Sequence, residues 1–269
     1  MTAVDCAARA KEALLVEVSV TPKPGLVDRR NSGAHRDMNY ATFVRSAEVL
    51  EPYFAAFFML GAAVPPEILL PVLRTKGIAA ESAMLAATGG VNTHKGALFS
   101  LGLLCAACGA LEERKEPFTP AGLCTFVSNL TQGITEELCS ADTHGGRAFA
   151  STGATGVRGE AEKGFPAVQT VALPAYRAGI ASGLSHNDAA VWTLTCLLSR
   201  VEDTNLLARG GLEGARWAQQ QADDLRADFS IPKAEELDDR FIERNLSPGG
   251  CADLLAITLF LYSVCLQHT

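Results

Sequence analysis

The apolar residues of this chain recur at helical spacing along almost its whole length. The clearest run covers residues 39–62, where one face follows the i, i+3, i+4, i+7 rhythm of a buried helical stripe. Its members are Tyr40, Phe43, Val44, Ala47, Leu50, Phe54, Phe57, Phe58 and Gly61. No segment alternates apolar and polar residues convincingly enough for a half-buried strand. The pattern therefore predicts an all-α fold.

Nine further segments show helical periodicity. They are 3–19, 66–87, 95–112, 119–140, 169–181, 186–200, 211–228, 233–245 and 250–267. Pro71 predicts a bend or a break within 66–87. Since no low-complexity linker or change of composition divides the chain, we predict one compact domain over residues 1–269, with a buried central helix and functional loops at helix N-termini.

Composition and charge narrow the functional classes. Hydrophobic residues make up 48% of the chain and charged residues 20%, which is typical of a globular protein. The net charge is −7, and eleven acidic but only five basic residues lie between Glu202 and Glu243. We interpret this segment as a solvated helical face. The acidic balance disfavours nucleic-acid binding.

The sequence also predicts a soluble, cytoplasmic protein without a membrane partner. Its start lacks a basic segment followed by an apolar one, and the stretches Phe54–Val64 and Cys251–Leu266 are shorter than the roughly 20 residues of a membrane span. Most of the eight cysteines lie in apolar helical runs. We interpret the C-x-x-C pair Cys105 and Cys108 as packing residues, since it falls in mid-helix without a second pair.

Five polar segments between the helices have a composition unlike that of plain connectors: 21–37, 89–96, 142–166, 202–211 and 245–250. Most are glycine-rich, and glycine allows backbone amides to point at an anion. Each of the following cations lies in such a segment or at a helix entrance: Lys23, Arg29, Lys95, Arg158 and Arg209. A cation beside exposed helix N-terminal amides is typical of phosphate binding. We therefore predict a polyphosphate ligand, although no known nucleotide fingerprint is present.

Acidic residues accompany these cations. Asp28, Asp37, Glu160, Asp203 and Asp253 lie in or beside the same segments. A triphosphate normally binds Mg²⁺, which takes one or two protein carboxylates. Helix capping is the alternative: Asp37 can cap the helix over 39–62, and Asp253 can favour the positive end of its own helix.

Other helix starts carry more polar groups than capping requires. Ser247 before Pro248 is a typical N-cap, and Asn92 or Thr93 can cap the helix that begins at residue 95. His94 and Lys95 are surplus to that need. Together with His35 and His144, His94 is a candidate general base or hydrogen-bond donor. Spacing alone indicates a helical enzyme that handles a phosphorylated ligand.

Four strings resemble the triphosphoribosyl-dephospho-coenzyme A synthase family: PKPGLVDRRNSGAHRDMNYATF, TGGVNTHKGALFSLGLLCAA, GVRGEAEKGFP and NLSPGGCADLLA, with RGG at 209–211. The resemblance runs from about residue 12 to residue 266. It implies an all-α transferase that moves the triphosphoribosyl group of ATP to the 2′-hydroxyl of 3′-dephospho-CoA and releases adenine. The product would be the prosthetic-group precursor of the citrate lyase or malonate decarboxylase acyl carrier protein, passed on to a carrier-protein transferase.

The resemblance turns the candidate residues into hypotheses. Asp28 and His35 are the predicted proton-transfer residues, and an α-linked product implies inversion at the anomeric carbon. The predicted contacts to phosphates and substrates are Lys23, Arg29, Asn92, His94, Lys95, Arg158, Arg209, Gly210, Asn245, Gly249 and Gly250. The predicted Mg²⁺ ligands are Asp37, Glu160 and Asp203.

Two other functions remain open at this point. A Mg²⁺-dependent nucleotide N-glycohydrolase would release adenine without an acceptor, and a non-catalytic helical nucleotide-binding module would bind ATP without turnover. The long apolar helices can bury their faces against one another or against a second copy of the chain, so a homodimer also stays open.

Overall fold

The computed structural model describes residues 1–140 and 153–265, and this part of the chain forms eleven α-helices and no strand. The helices are α1 (Ala3–Ser19), α2 (Tyr40–Ala63), α3 (Pro66–Thr88), α4 (Lys95–Glu113), α5 (Pro120–Leu130), α6 (Gly156–Glu162), α7 (Leu173–Ala181), α8 (His186–Leu198), α9 (Thr204–Ala227), α10 (Ile231–Glu243) and α11 (Gly249–Cys265). The all-α prediction is confirmed. Residues 142–152 of the long predicted loop, including His144, lie outside the described residues.

Several predicted helix boundaries are wrong. The helix α3 continues through Pro71, so the predicted break is wrong, while the predicted bend stays a prediction. The predicted helix 119–140 ends at Leu130 and is followed by a 3₁₀ helix over Ile134–Ser140, because Gly133 adopts φ 80°. A π-helical turn over Val168–Ala172 precedes α7.

Two helices near the polar segments also differ from the prediction. The short helix α6 lies in the segment predicted as a loop. The helix α9 begins at Thr204 rather than at residue 211, and Gly211, with φ 61° and ψ −167°, interrupts it where the sequence predicts its start. Glycine adopts this backbone conformation without a steric penalty from a Cβ atom.

The central helix of the fold is α4. Fourteen of its nineteen residues are buried, and it contacts α1, α2, α3, α5 and α11. Among the described residues it is the one helix long and apolar enough to cross a membrane, but 78% of that window is buried inside the protein. Cys105 and Cys108 are free thiols in this buried helix, next to Cys6 of α1, as their packing interpretation requires.

Small residues let α2 and α4 approach closely. A Cβ atom added at Gly61 would lie 1.9 Å from the carbonyl oxygen of Ala106, and one added at Gly109 would lie 1.9 Å from that of Phe58. Both contacts are with backbone, which cannot move away cheaply. The close crossing holds the N-terminus of α4 in a defined position beside α2.

Candidate active site

The cavity and the predicted residues

A cavity of about 1050 Å³ lies where the N-termini of α4, α9 and α11 meet, with α3 and α6 completing its wall. Eleven of the sixteen predicted site residues line it: Lys23, His35, Asn92, His94, Lys95, Arg158, Glu160, Asp203, Arg209, Gly249 and Gly250. Ligand cavities in proteins usually enclose about 300–1000 Å³. The observed volume lies just above the range for one small-molecule ligand and suits a pair of nucleotide-sized molecules.

Five predicted residues do not line this cavity. They are Asp28, Arg29, Asp37, Gly210 and Asn245. Arg29 is exposed, donates to Ser19 Oγ and stacks 5.0 Å from the centroid of the Tyr40 ring. A Cβ atom on Gly210 would lie 2.5 Å from Leu246 Cδ2, so this glycine permits close packing. Their predicted substrate contacts therefore stay predictions without support from the geometry.

Helix N-termini and bridging carboxylates

Two carboxylates, buried Asp203 and half-buried Asp253, lie among the three helix N-termini. Asp203 Oδ1 accepts from the amides of Asn205 and Leu206 in α9, and its Oδ2 accepts from the amide of Cys251 in α11. Asp253 of α11 lies against Gly96 at the start of α4, where the Ala97 amide lowers the pKa of its carboxyl in opposition to burial. Because helix N-terminal amides lack partners within their own helix, these carboxylates stabilise three helix starts at once.

Glycines make this approach sterically feasible. A Cβ atom on Gly96 would lie 2.0 Å from Asp253 Oδ2, and one on Gly250 would lie 3.0 Å from Asp203 Oδ2. Gly249 approaches the side-chain amide of Asn205 in the same way. The glycines predicted to contact substrate thus also bring helix starts into contact with acidic side chains.

The capping predictions for neighbouring residues need correction. Asn39, not Asp37, caps α2, since its side chain accepts from the Thr42 amide. The side chain of Asp37 is 63% exposed and lies 3.9 Å from His35 Nδ1.

The Ser247 hydroxyl hydrogen-bonds to His35 Nε2, while α11 receives its cap from Asp203. Asn92, rather than Thr93, accepts from the Lys95 amide.

The 21–37 segment

Two carboxylates hold the segment 21–37 in shape. Asp28 accepts from three backbone amides, those of Lys23, Arg30 and Asn31. Asp238 of α10 accepts from the Gly25 amide at 2.9 Å, from Arg30 Nη1 at 2.6 Å and from Asn31 Nδ2 at 2.7 Å. Both carboxylates are buried. Asp28, predicted as catalytic, thus has its hydrogen bonds inside the segment itself, and its catalytic role stays a prediction.

His35, the other predicted proton-transfer residue, lines the cavity with both ring nitrogens occupied. Nδ1 accepts from Arg209 Nη2 at 3.1 Å, so the proton lies on Nε2, 2.8 Å from Ser247 Oγ. Burial, followed by the nearby Arg209 charge, lowers the pKa of His35 to about 4. A group with so low a pKa is a weak base at neutral pH.

Arg209 joins this segment to the start of α11. Its Nη1 donates to the carbonyl oxygen of Ala34 at 3.0 Å and to Asn245 Oδ1 at 3.0 Å. Asn245 adopts φ 55°, a left-handed conformation that turns the chain after α10. Arg209 and Asn245, both predicted to contact substrate, therefore form a hydrogen bond with each other. Arg209 lines the cavity, whereas Asn245 does not.

Charges that line the cavity

Lys23 and Glu17 form a buried ion pair in the cavity wall. Lys23 Nζ lies 2.5 Å from Glu17 Oε1, and both side chains are almost fully buried. Burial raises the pKa of Glu17, against the opposing effect of the Lys23 charge. Breaking such a pair leaves an uncompensated buried charge, so the two residues depend on each other.

Two predicted phosphate-binding cations face the cavity more openly. Lys95 Nζ lies 2.6 Å from Glu81 Oε1, and half of its side chain is exposed. Arg158 Nη1 lies 3.7 Å from Glu137 Oε2. The Lys95–Glu81 pair is partly exposed, and such pairs contribute about 0–1 kcal/mol, so a phosphate group can replace Glu81 at little cost. Arg158 Nη1 is buried and forms no hydrogen bond among the described residues, which leaves it available to a phosphate oxygen.

Acidic and basic side chains balance in the cavity wall. Within the described part of the chain, seven Lys or Arg residues and seven Asp or Glu residues line it. Burial is the main cause that raises the pKa values of four of these acids, Glu17, Glu160, Asp203 and Asp253. A triphosphate therefore requires either bound cations or protonated carboxylates to be neutralised here.

The predicted Mg²⁺ ligands do not form a ready-made metal cage. Within residues 1–140 and 153–265, no three acidic, histidine or cysteine side chains come close enough together to hold a metal ion. Glu160 and Asp203 line the cavity, whereas Asp37 does not. Mg²⁺ bound to nucleotides typically takes only one or two protein carboxylates, with phosphate oxygens and water completing its shell. The two carboxylates in the cavity fit that role.

Residues that sequence reasoning missed

Several structurally decisive residues are absent from the predicted set. Glu17 and Asp253 line the cavity, Ser46 hydrogen-bonds to His94, and Asp238 anchors the 21–37 segment. For Glu17 and Asp253 the sequence does carry a signal, because each is an acid within an apolar helical run. Ser46 and Asp238 lie on helical positions without a distinctive local pattern, and their contacts come from distant segments.

Comparison with known proteins

Residues 3–268 match the model of the CitG family, described as ATP:dephospho-CoA triphosphoribosyl transferase. A Citrobacter koseri protein named probable 2-(5″-triphosphoribosyl)-3′-dephosphocoenzyme-A synthase is 45% identical, with 94% of this chain and 88% of that protein covered. The Klebsiella pneumoniae protein named 2-(5″-triphosphoribosyl)-3′-dephosphocoenzyme-A synthase is 44% identical, with 97% of this chain and 91% of that protein covered.

A third relative, from Salmonella gallinarum, bears the same name as the Citrobacter protein and is 46% identical, with coverage of 93% and 87%. No solved structure matches the chain. The match to the family model extends over almost the whole sequence, and the predicted family is therefore confirmed. The chain belongs to the ATP:dephospho-CoA triphosphoribosyl transferase family.

Proposed function

We propose that this chain transfers the 5-triphosphoribosyl group of ATP to the 2′-hydroxyl of 3′-dephospho-CoA and releases adenine. The observation that carries the proposal is that one cavity, at three helix N-termini, gathers eleven of the predicted site residues in a member of this transferase family. Its volume suits two nucleotides held side by side. The prediction that the product passes to a carrier-protein transferase rests on the family resemblance alone.

The chemistry requires that the triphosphate be held and not cleaved. The bond between ribose C1′ and adenine N9 breaks, its electron pair leaves with adenine, and the acceptor 2′-oxygen bonds to C1′. The cavity cations Lys95 and Arg158 lie in the first turns of α4 and α6, and Arg209 lies in α9 shortly before the Gly211 interruption; all three can hold phosphate oxygens. Positioning two bound molecules in this way supplies much of the rate enhancement of a bimolecular reaction.

The proton of the acceptor hydroxyl needs a base, and Asp253 is the carboxylate best suited to take it. It lines the cavity, and burial together with the nearby Glu17 and Asp203 raises its pKa well above the ordinary value. A raised pKa makes the ionised carboxylate a stronger base. Asp253 replaces Asp28 and His35 as the first candidate for this step.

A magnesium ion would bind with the triphosphate. Glu160 and Asp203 are the carboxylates positioned to hold it, and Glu160 Oε1 has the freer position because Oε2 accepts from the Ala167 amide at 3.1 Å. The ion would neutralise phosphate charge in a cavity whose own acidic and basic side chains balance.

The test is a reaction with ATP, Mg²⁺ and 3′-dephospho-CoA, followed by mass spectrometry of adenine and of the adduct. We expect adenine and adduct in equal amounts, and neither when the acceptor is omitted. Adenine without acceptor would show a nucleotide N-glycohydrolase. ATP binding without any turnover would show a non-catalytic nucleotide-binding module.

A further inference from the structure

Two side-chain nitrogens in the cavity wall are buried without a hydrogen bond among the described residues, Arg158 Nη1, which has Glu137 Oε2 at 3.7 Å, and His94 Nε2. The His94 side chain is 3% exposed, and its Nε2 forms no hydrogen bond with any residue that the structure describes. Leaving a buried polar atom without a hydrogen bond destabilises the protein. Since His94 lines the cavity, a bound molecule is the natural source of the missing partner.

A chain of two hydroxyl groups fixes the proton of this histidine. Thr93 Oγ1 donates to Ser46 Oγ at 2.7 Å, and Ser46 Oγ lies 2.7 Å from His94 Nδ1. Because Ser46 accepts from Thr93, its own proton is available for Nδ1, which then acts as the acceptor. The ring proton therefore lies on Nε2, and the unpartnered atom is a hydrogen-bond donor.

The surroundings keep this donor neutral. Burial, followed by the nearby Lys23 charge, lowers the pKa of His94 to about 3. The ring of Phe43 packs edge-on against it, with 4.9 Å between ring centroids. The cations elsewhere in the cavity are better suited to bind a phosphate. A neutral hydrogen-bond donor next to an aromatic ring suits an uncharged heterocycle with acceptor nitrogens.

We propose that His94 donates its Nε2 proton in a hydrogen bond to a ring nitrogen of the adenine base of ATP, and that Ser46 and Thr93 are positioning residues that fix its tautomer. The proposal rests on the function proposed above. It gives a role to a histidine that a helix start does not need.

The contact would be strongest in the transition state. When the C1′–N9 bond breaks, its electron pair moves onto the purine, and negative charge spreads over N3, N7 and N9. A fixed donor stabilises that charge more than it stabilises bound ATP. His94 keeps its own proton throughout. A cavity carboxylate takes the proton of the acceptor hydroxyl and passes it to solvent, and the adenine anion takes up one proton from solvent.

The main test combines His94 variants with ATP analogues. We expect His94→Leu to lower kcat about 10²-fold or more, with the KM for 3′-dephospho-CoA little changed. His94→Gln, whose side-chain amide can donate from a similar position, should recover part of the loss. Ser100→Ala removes a buried hydroxyl that lacks a hydrogen-bond partner among the described residues, on the same helix and outside the cavity lining, and should leave kcat unchanged.

The analogues 7-deaza-ATP and 3-deaza-ATP each remove one acceptor nitrogen. In the wild-type protein one of them should bind more weakly and react more slowly than ATP, and in His94→Leu that difference should disappear. Equal discrimination in both proteins would overturn the proposal. Binding by calorimetry needs no turnover, so failure of the adenine contact can be told apart from failure of the proposed transferase reaction.

The positioning role has its own readout. ¹⁵N chemical shifts of the His94 ring should report an Nε2–H tautomer in the wild-type protein and a mixture of tautomers in Ser46→Ala, with a smaller loss of kcat than in His94→Leu. An Nδ1–H tautomer in the wild-type protein would contradict the donor assignment. If His94→Leu does not fold, the analogue comparison in wild type and Ser46→Ala still decides the outcome.

Discussion

The segment 21–37 and the start of α4 are both rich in polar side chains and both border the same cavity, yet they use these side chains differently. In the segment 21–37, Asp28 and Asp238 bind its backbone amides and side chains, and both nitrogens of His35 have partners. At the start of α4, Lys95 is half exposed and His94 Nε2 has no partner among the described residues. A dense polar motif can therefore be a framework, and the groups left unsatisfied indicate where a substrate binds.

The comparison predicts its largest effect at Asp253, which contacts the start of α4. Asp253→Asn should lower kcat by about 10²–10⁴-fold, which is the usual contribution of a general base. The KM values for ATP and 3′-dephospho-CoA should change little. Steady-state adenine release measures this effect. A loss below about 10-fold would leave Asp253 a capping residue only.

The same variant has a defined pH signature. The folded-state pKa of Asp253 lies above its unfolded value, so the folded protein binds more protons and loses stability as pH rises from about 4 through the raised pKa. Asp253→Asn removes that contribution and should be more stable than wild type at pH 8. Unfolding at pH 5.5 and pH 8 should show a smaller decrease for the variant, with Glu17, Glu160 and Asp203 causing the remainder.

The framework side of the comparison predicts a loss of stability. Asp238→Ala leaves Arg30, Asn31 and the Gly25 amide without their buried partner, and should lower the free energy of unfolding by about 3–5 kcal/mol. Its neighbour Asp239 also pairs with Arg30 at 2.8 Å but is 58% exposed, so Asp239→Ala should cost no more than about 1 kcal/mol. Denaturant unfolding compares the two, and equal losses would contradict the framework role.

Much of the architecture follows from local patterns in the sequence. Apolar periodicity predicts both ends of α1, α2 and α4 to within about one residue, since each helix buries a continuous apolar stripe. The start of α9 was missed because Asp203 caps it from outside the predicted segment and Gly211 interrupts the helix later. Only a tertiary contact shows that the same Asp203 also caps α11.

The site is less predictable than the fold for a related reason. The glycines and cations of the motifs identify which loops form the cavity, since these residue types are unusual at ordinary helix starts. Whether Asp28 faces a substrate or its own backbone depends on how the loop closes. No local pattern links Ser46 to His94, because 48 residues separate them in the sequence.

At the open end of the cavity, Lys95 predicts a moderate effect on ATP binding. Lys95→Ala should raise the Kd for ATP about 10-fold, as expected for one hydrogen bond between charged groups, and leave the free energy of unfolding within about 1 kcal/mol. Glu81→Ala is the matched variant: it removes the carboxylate that pairs with Lys95 and should leave ATP binding equal or tighter. Unchanged ATP affinity in Lys95→Ala would remove this lysine from the phosphate site.

The smallest effect is expected at Arg29, for which sequence and structure suggest different roles. The sequence predicts a phosphate contact, but the side chain lies outside the cavity lining, over the Tyr40 ring. Arg29→Ala should therefore cost about 0.5–1 kcal/mol of stability from the lost cation–π contact and change kcat/KM less than about twofold. Arg209→Ala, which breaks the bonds to Ala34, His35 and Asn245 inside the cavity wall, should reduce kcat/KM far more. Equal losses of activity in the two arginine variants would show that Arg29 also contacts substrate. The segment 21–37 would then not be a framework distinct from the substrate-binding start of α4.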